Sequence, residues 1–269
     1  CFSGLDGLIF LQVKFSISPT PMMIAKQSSP ICSPFLEVIA CSLQDAVAAE
    51  QGGADRLELI SRYDLGGLTP DFPLIDSVLQ TVAIPVRVML RDEPCFHVHQ
   101  SAGRRELVRK AEQLAQRPLQ GLVLGFLQQD GVDEALLAEV LAATAGRPVT
   151  FHHAFEQLAD PMHALSRLKT FPQIDCILTS GGDGDWPERL DRLHTWQAHG
   201  APEIGILVGG GVTRAWMEKL APMGFYDYHV GRMARQDESL QGAVQAERVA
   251  ELKTALHALW RQQGVPLRA

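Results

Sequence analysis

The chain has 269 residues, of which 46% are hydrophobic and 20% charged, the mixture of an ordinary globular protein. Its 24 Lys+Arg against 31 Asp+Glu give a net charge of −7, which argues against a nucleic-acid binder, since that affinity needs a surplus of basic groups. No stretch reaches the roughly 20 uncharged apolar residues of a membrane helix, and the five cysteines are scattered without a CxxC pair, reading as reduced thiols of a cytoplasmic protein.

Residues 1–34 differ from the rest. They carry only Asp6, Lys14 and Lys26 as charges, and Lys14 interrupts the apolar run Leu8, Ile9, Phe10 and Leu11 that would otherwise resemble a signal-peptide core. The expectation is a disordered or loosely docked N-terminal extension, a translated leader upstream of a natural start at Met22 or Met23. Residues 263–269 read as a C-terminal tail, leaving 35–262 for a single domain.

Within that domain one pattern recurs: a short β-branched run, a turn, then a helical period. Strands are expected at Leu36–Ser42, Arg56–Ser61, Val86–Arg91 and Gly121–Leu127, then at Val149–Phe155, Asp175–Ser180, Ile204–Gly209 and Tyr226–Gly231. The intervening helices are Leu43–Gln51, Pro70–Thr81, Arg104–Gln116 and Glu134–Ala143, followed by Pro161–Thr170, Pro187–Ala198, Arg214–Ala221 and Ala243–Trp260. Thr69-Pro70, Asp160-Pro161 and Trp186-Pro187 place a residue before a first-turn proline, a helix-start signal. Eight strand–helix units predict an α/β fold, a parallel (β/α)₈ TIM barrel, and no G-x-G-x-x-G follows the first strand to suggest a dinucleotide fold.

A barrel places its chemistry where strands end. Strand alternation turns Glu37, Ile39 and Cys41 to one face of the first strand, Glu58 and Ile60 inward on the second, and Arg87, Met89 and Arg91 together on the third. The fifth strand adds Thr150 and His152. Charges buried in a barrel must pair, and Glu37 with Arg87, early in their strands, is the expected buried polar network. Arg91, at a strand end, is placed to meet an anionic ligand. His152 reads as a base, a ligand or a hydrogen-bonded core histidine.

Glycine marks the later strand ends: Ser180, Gly181 and Gly182 after the sixth, Gly209, Gly210 and Gly211 after the seventh, Gly231 and Arg232 after the eighth. Such loops present backbone N–H groups to an anion or simply turn through positive φ. In the loop after the third strand, Cys95, His97 and His99 alternate, and with Cys41 nearby they form a candidate set for copper(I) or zinc. A polar mobile loop with incidental histidines is the other reading of that segment.

Several strings in register resemble the CutC copper homeostasis family: Leu36-Glu37-Val38, residues 51–59, Leu65-Gly66-Gly67-Leu68-Thr69-Pro70, Pro85 to Arg91, Val149-Thr150-Phe151-His152, Leu178 to Gly182, and Gly209-Gly210-Gly211-Val212. The resemblance implies a cytoplasmic (β/α)₈ barrel, often a homo-oligomer, linked to copper tolerance and copper binding. It carries the polar interior onto Glu37, Glu58, Arg87, Arg91 and His152. The sequence departs from the family pattern at His153, Glu156, Ile60 and Asp92-Glu93-Pro94-Cys95, and Ile60 removes one soft ligand. Two functions follow as expectations. One is copper binding through Cys41, Cys95, His97 and His99. The other is an enzyme acting on a phosphorylated or carboxylated metabolite, with Glu58 and His152 transferring protons, Arg91 orienting the anion and the glycine loops holding it. A third places partners on the helical exterior, with Trp186, Trp196 and Trp216 marking an oligomer face. The partners expected are a copper ion or a small anion, and neither nucleic acid nor a membrane.

Overall fold

The structure, a computed structural model, describes residues 33–262. The expected extension through Cys32 and the tail after Gln262 lie outside the described residues. Eight parallel strands close into a barrel in chain order. They are β1 (Phe35–Ala40), β2 (Arg56–Leu59), β3 (Val86–Met89), β4 (Gly121–Leu124), β5 (Val149–Phe151), β6 (Ile174–Thr179), β7 (Gly205–Val208) and β8 (Asp227–Val230). Each is followed by a helix: α1 (Leu43–Gln51), α2 (Phe72–Thr81), α3 (Ser101–Ala115), α4 (Glu134–Ala143), α5 (Pro161–Leu168), α6 (Trp186–Gly200), α7 (Arg214–Leu220) and α8 (Ala246–Gln262).

The alternation of the strands decides what sits where. Leu36, Val38, Leu57, Leu59, Val86 and Val88 face the helices and join one continuous apolar core. Ile39, Ile60, Met89 and Val123 point the other way and form a separate apolar layer inside the barrel. Trp196 is buried edge-on against Phe155, fixing α6 to the barrel, while Trp186 stacks on Trp216 with ring centroids 4.4 Å apart.

Several boundaries differ from expectation, each for a hydrogen-bonding reason. Helix α2 starts at Phe72 because Asp71 accepts from Leu74 N–H as the cap, whereas the Thr69 hydroxyl bonds the backbone of Arg91. Helix α6 is capped by Asp185, with Pro187 in the first turn. The fourth strand stops at Leu124, and Leu127 belongs to a small antiparallel hairpin pairing Leu127–Gln128 with Gly131–Val132. The fifth stops at Phe151 and passes into a 3₁₀ turn over His153–Gln157.

Candidate functional site

Below the apolar layer the barrel holds two ion-pair systems, and they are not the expected one. Glu37 does not meet Arg87. Register sets Glu37 beside Arg56 on β2 and beside His229 on β8. Its carboxylate accepts from Arg56 Nε and faces His229 Nδ1 at 2.7 Å. Arg87 instead grips Asp175 through two bonds of 2.8 and 2.6 Å, with Thr150 Oγ1 and Gln120 Oε1 as further acceptors. A register shift between β5 and β6 lies beside Asp175, where plain alternation stops predicting orientation. These guanidiniums and carboxylates are satisfied and close the bottom of the barrel. Removing one partner of such a buried pair costs about 3–5 kcal/mol.

Above them, His229 lies between two carboxylates. Its Nε2 is 3.2 Å from Glu58 Oε2, opposite the Glu37 contact. Burial alone would raise Glu37, but Arg56 and His229 outweigh it and bring its pKa down to about 2. Glu58 is raised, chiefly by burial and further by the Glu37 charge, against the pull of His229. Burial would lower His229, yet the two facing carboxylates leave it raised. Glu37 and Glu58 thus face opposite ring nitrogens of His229, Nδ1 and Nε2. Glu58 Oε1 has no hydrogen-bond partner although the residue is only 2% exposed.

Glu58 lines a cavity of about 740 Å³ in the barrel mouth, together with His229, Ile39, Met89 and Leu178. Its rim includes Arg91, His152, Gly210, Gly211, Gly231 and Arg232. His152 is 3% exposed. Its Nδ1 accepts from Ala154 N–H at 3.2 Å, so the ring hydrogen resides on Nε2, which is buried without a partner. Burial, reinforced by the Arg91 and His153 charges, pushes its pKa down to about 3. The imidazole is neutral.

Arg91 reaches the mouth, but its role differs from the expected anion clamp. Its N–H groups donate to the carbonyls of Glu93, Gly66, Gly67 and Pro94, and the guanidinium lies 4.5 Å from the Phe96 ring centroid. It ties the loops after β2 and β3 together. Arg232, by contrast, has no ion-pair partner among the described residues, while the other rim charge, Glu238, lies 3.5 Å from Arg248.

The glycine loops divide in the same way. Ser180, Gly181, Gly182 and Gly209 do not line the cavity. The Ser180 amide donates to the Glu156 carboxylate, as does Thr179 Oγ1 at 2.8 Å, and the Gly181 amide donates to Thr179 Oγ1. A carboxylate of the chain itself thus fills the place expected for an anion after β6. Gly210 and Gly211 do line the mouth. Gly210 has φ +74°, and a Cβ there would come within 2.8 Å of Ser180 Cβ. Gly231 admits Tyr63, whose hydroxyl would lie 1.8 Å from any Cβ.

The expected four-ligand set Cys41, Cys95, His97 and His99 does not converge. Among the described residues, the His/Cys/Asp/Glu group with ligand atoms all within 4.8 Å is Glu37, Glu58 and His229. Cys41 belongs elsewhere, beside Arg235 at 3.4 Å, and burial pushes its thiol up to about 11. Cys95 Sγ and His97 Nδ1 stand 3.8 Å apart, and His97 Nε2 meets the Gln129 carbonyl at 3.2 Å. The His99 ring stacks on His97 at 5.8 Å. The Glu37–His229–Glu58 group fits copper(I) poorly, because its donors are hard oxygens and the imidazole stands between the carboxylates.

The fold and its polar mouth define a (β/α)₈ barrel protein with a small-molecule-sized cavity at the strand ends. Residues 35–233 match the model of the CutC family. The chain is 36% identical over 211 residues to the human copper homeostasis protein cutC homolog, covering 77% of this chain and 76% of the human protein. The mouse protein of the same name is 35% identical over 210 residues, with the same coverage. The crystal structure of the CutC protein from Streptococcus agalactiae superposes with a TM-score of 0.67 at 25% identity, over 74% of this chain and 98% of that one. The chain belongs to the CutC family.

Proposed function

We propose that this chain serves copper homeostasis in the cytoplasm, and that its working site is the barrel mouth, which binds a small phosphorylated or carboxylated molecule. The names of the human and mouse relatives support the first part. The free thiols Cys41, Cys95 and Cys176 fit a reducing compartment. One observation carries the second part. Glu58 and His152, each with a buried polar atom that has no partner (Oε1 and Nε2), both line one cavity that Arg232, without an ion-pair partner among the described residues, also lines. Buried polar atoms are ordinarily satisfied, so two left unpaired on residues that line a cavity point to a ligand.

A second reading rests on the 3.8 Å separation of Cys95 Sγ and His97 Nδ1, which suits two donors to one copper(I) ion carried as cargo. A paired titration tests both. Phosphate should bind the native chain and bind about tenfold more weakly to Arg232→Ala. Copper(I) should be drawn from a competing chelator by the native chain and not by the double variant Cys95→Ala, His97→Ala. Phosphate affinity indifferent to Arg232 removes the mouth reading, and copper uptake indifferent to Cys95 and His97 removes the rim reading.

A further inference from the structure

The mouth holds two groups of opposite chemical character on one cavity. Glu58 lines it with one carboxylate oxygen that has no hydrogen-bond partner, and is backed by His229 at 3.2 Å, which is held in turn by Glu37. His152 presents a neutral N–H donor, because the Ala154 amide occupies its other nitrogen. A base beside a neutral donor is the pairing required to remove a proton from carbon next to a carbonyl. The base takes the proton, and the donor stabilises the charge that develops on the carbonyl oxygen. A neutral imidazole serves that second role because its hydrogen bond strengthens as the oxygen becomes an enolate.

We infer that the barrel mouth catalyses enolisation of a small anionic carbonyl compound, with Glu58 as the base and His152 as the donor to the carbonyl oxygen. In the forward step Glu58 Oε1 takes the proton from the carbon beside the carbonyl. The C–H electron pair becomes the new C=C bond, and the former C=O π pair settles on oxygen against His152 Nε2–H. Return of the proton to the same or the neighbouring carbon completes an epimerisation or isomerisation, with no oxidant or reductant consumed. His229 and Glu37 act through Glu58 as positioning residues. The substrate's anionic group meets Arg232 and the Gly210 and Gly211 amides, which donate to no other acceptor among the described residues. This inference rests on the mouth being an anion site, as proposed above.

The test uses the full chain in heavy water, with dihydroxyacetone phosphate and pyruvate as separate carbonyl probes and inorganic phosphate as an independent binding probe. Deuterium should enter the carbon beside the carbonyl of at least one probe faster than in buffer. That exchange should fall about 100-fold or more in Glu58→Gln and in His152→Gln, while phosphate still binds both variants. Retained phosphate binding shows that a silent variant has folded. If the native chain binds phosphate but exchanges neither probe, or if both variants exchange at the native rate, the enolisation inference is overturned and the anion site stands. If phosphate does not bind the native chain, the anion site and this inference fall together. Exchange of one probe alone distinguishes a phosphorylated from a carboxylated substrate.

Discussion

His152 and Glu58 show how burial sets chemistry one side chain at a time. Each is nearly sealed from solvent, each lines the mouth, and each keeps one buried polar atom unsatisfied. For His152 the consequence is measurable without a substrate. The folded chain holds it neutral down to about 3, whereas an unfolded chain accepts the proton near the ordinary histidine value of about 6.5. Its contribution to stability is therefore whole above that ordinary value and is lost as pH falls toward the folded one. His229 has the opposite sign: its raised pKa gives stability that is present in acid and lost as pH rises. Urea midpoints of the native chain and of His152→Gln, compared at about pH 7 and pH 5, should show the native chain losing more, by up to about 1.4 kcal/mol per pH unit. Equal losses in the two proteins would mean that His152 takes up its proton without opposition in the fold.

At the scale of elements, the site depends on loops stitched by side chains rather than on the strands alone. Glu156, in the 3₁₀ turn after β5, accepts from Ser180 N–H and Thr179 Oγ1 at the end of β6 and lies 3.0 Å from His153 Nδ1. Burial would raise Glu156, but His153 and these bonds outweigh it and lower its pKa to about 2. Replacing Glu156 by Gln should destabilise the fold by about 1.5–3 kcal/mol, the worth of charge-assisted bonds, measured by urea unfolding at neutral pH. A loss below about 0.5 kcal/mol would show that Gln restores the stitch. Such links were poorly legible in the sequence. Strand alternation does place Glu37, Glu58, Arg87, Arg91 and His152 inside. Applied to β8, where Tyr228 and Val230 pack outward, the same rule would also have found His229, and on β2 it would have found Arg56. Asp175 was out of reach because the register shift beside it breaks the alternation on which the rule relies. The Cys95 loop misled for a related reason. Alternation within a loop does not fix direction, and His97 turned to the Gln129 carbonyl instead of completing a ligand set.

Across the whole molecule, closure of the ring creates the mouth. Glu37 and His229 are 192 residues apart in sequence, yet they share a hydrogen bond because β1 pairs with β8. The eight-unit repeat made that closure legible, since its period is set by local patterning. The partners chosen inside the ring depend on register and loop packing, which local patterning does not encode. The packed ion pairs close one end of the barrel, and Arg232, Gly210 and Gly211 line the cavity at the other. A crystal structure of the chain saturated with phosphoglycolate tests this arrangement most directly. The account predicts the phosphate against Arg232 and the Gly210–Gly211 amides, with the carboxylate directed at Glu58 and His152. Phosphoglycolate seated elsewhere, with an empty mouth at saturating concentration, would contradict it.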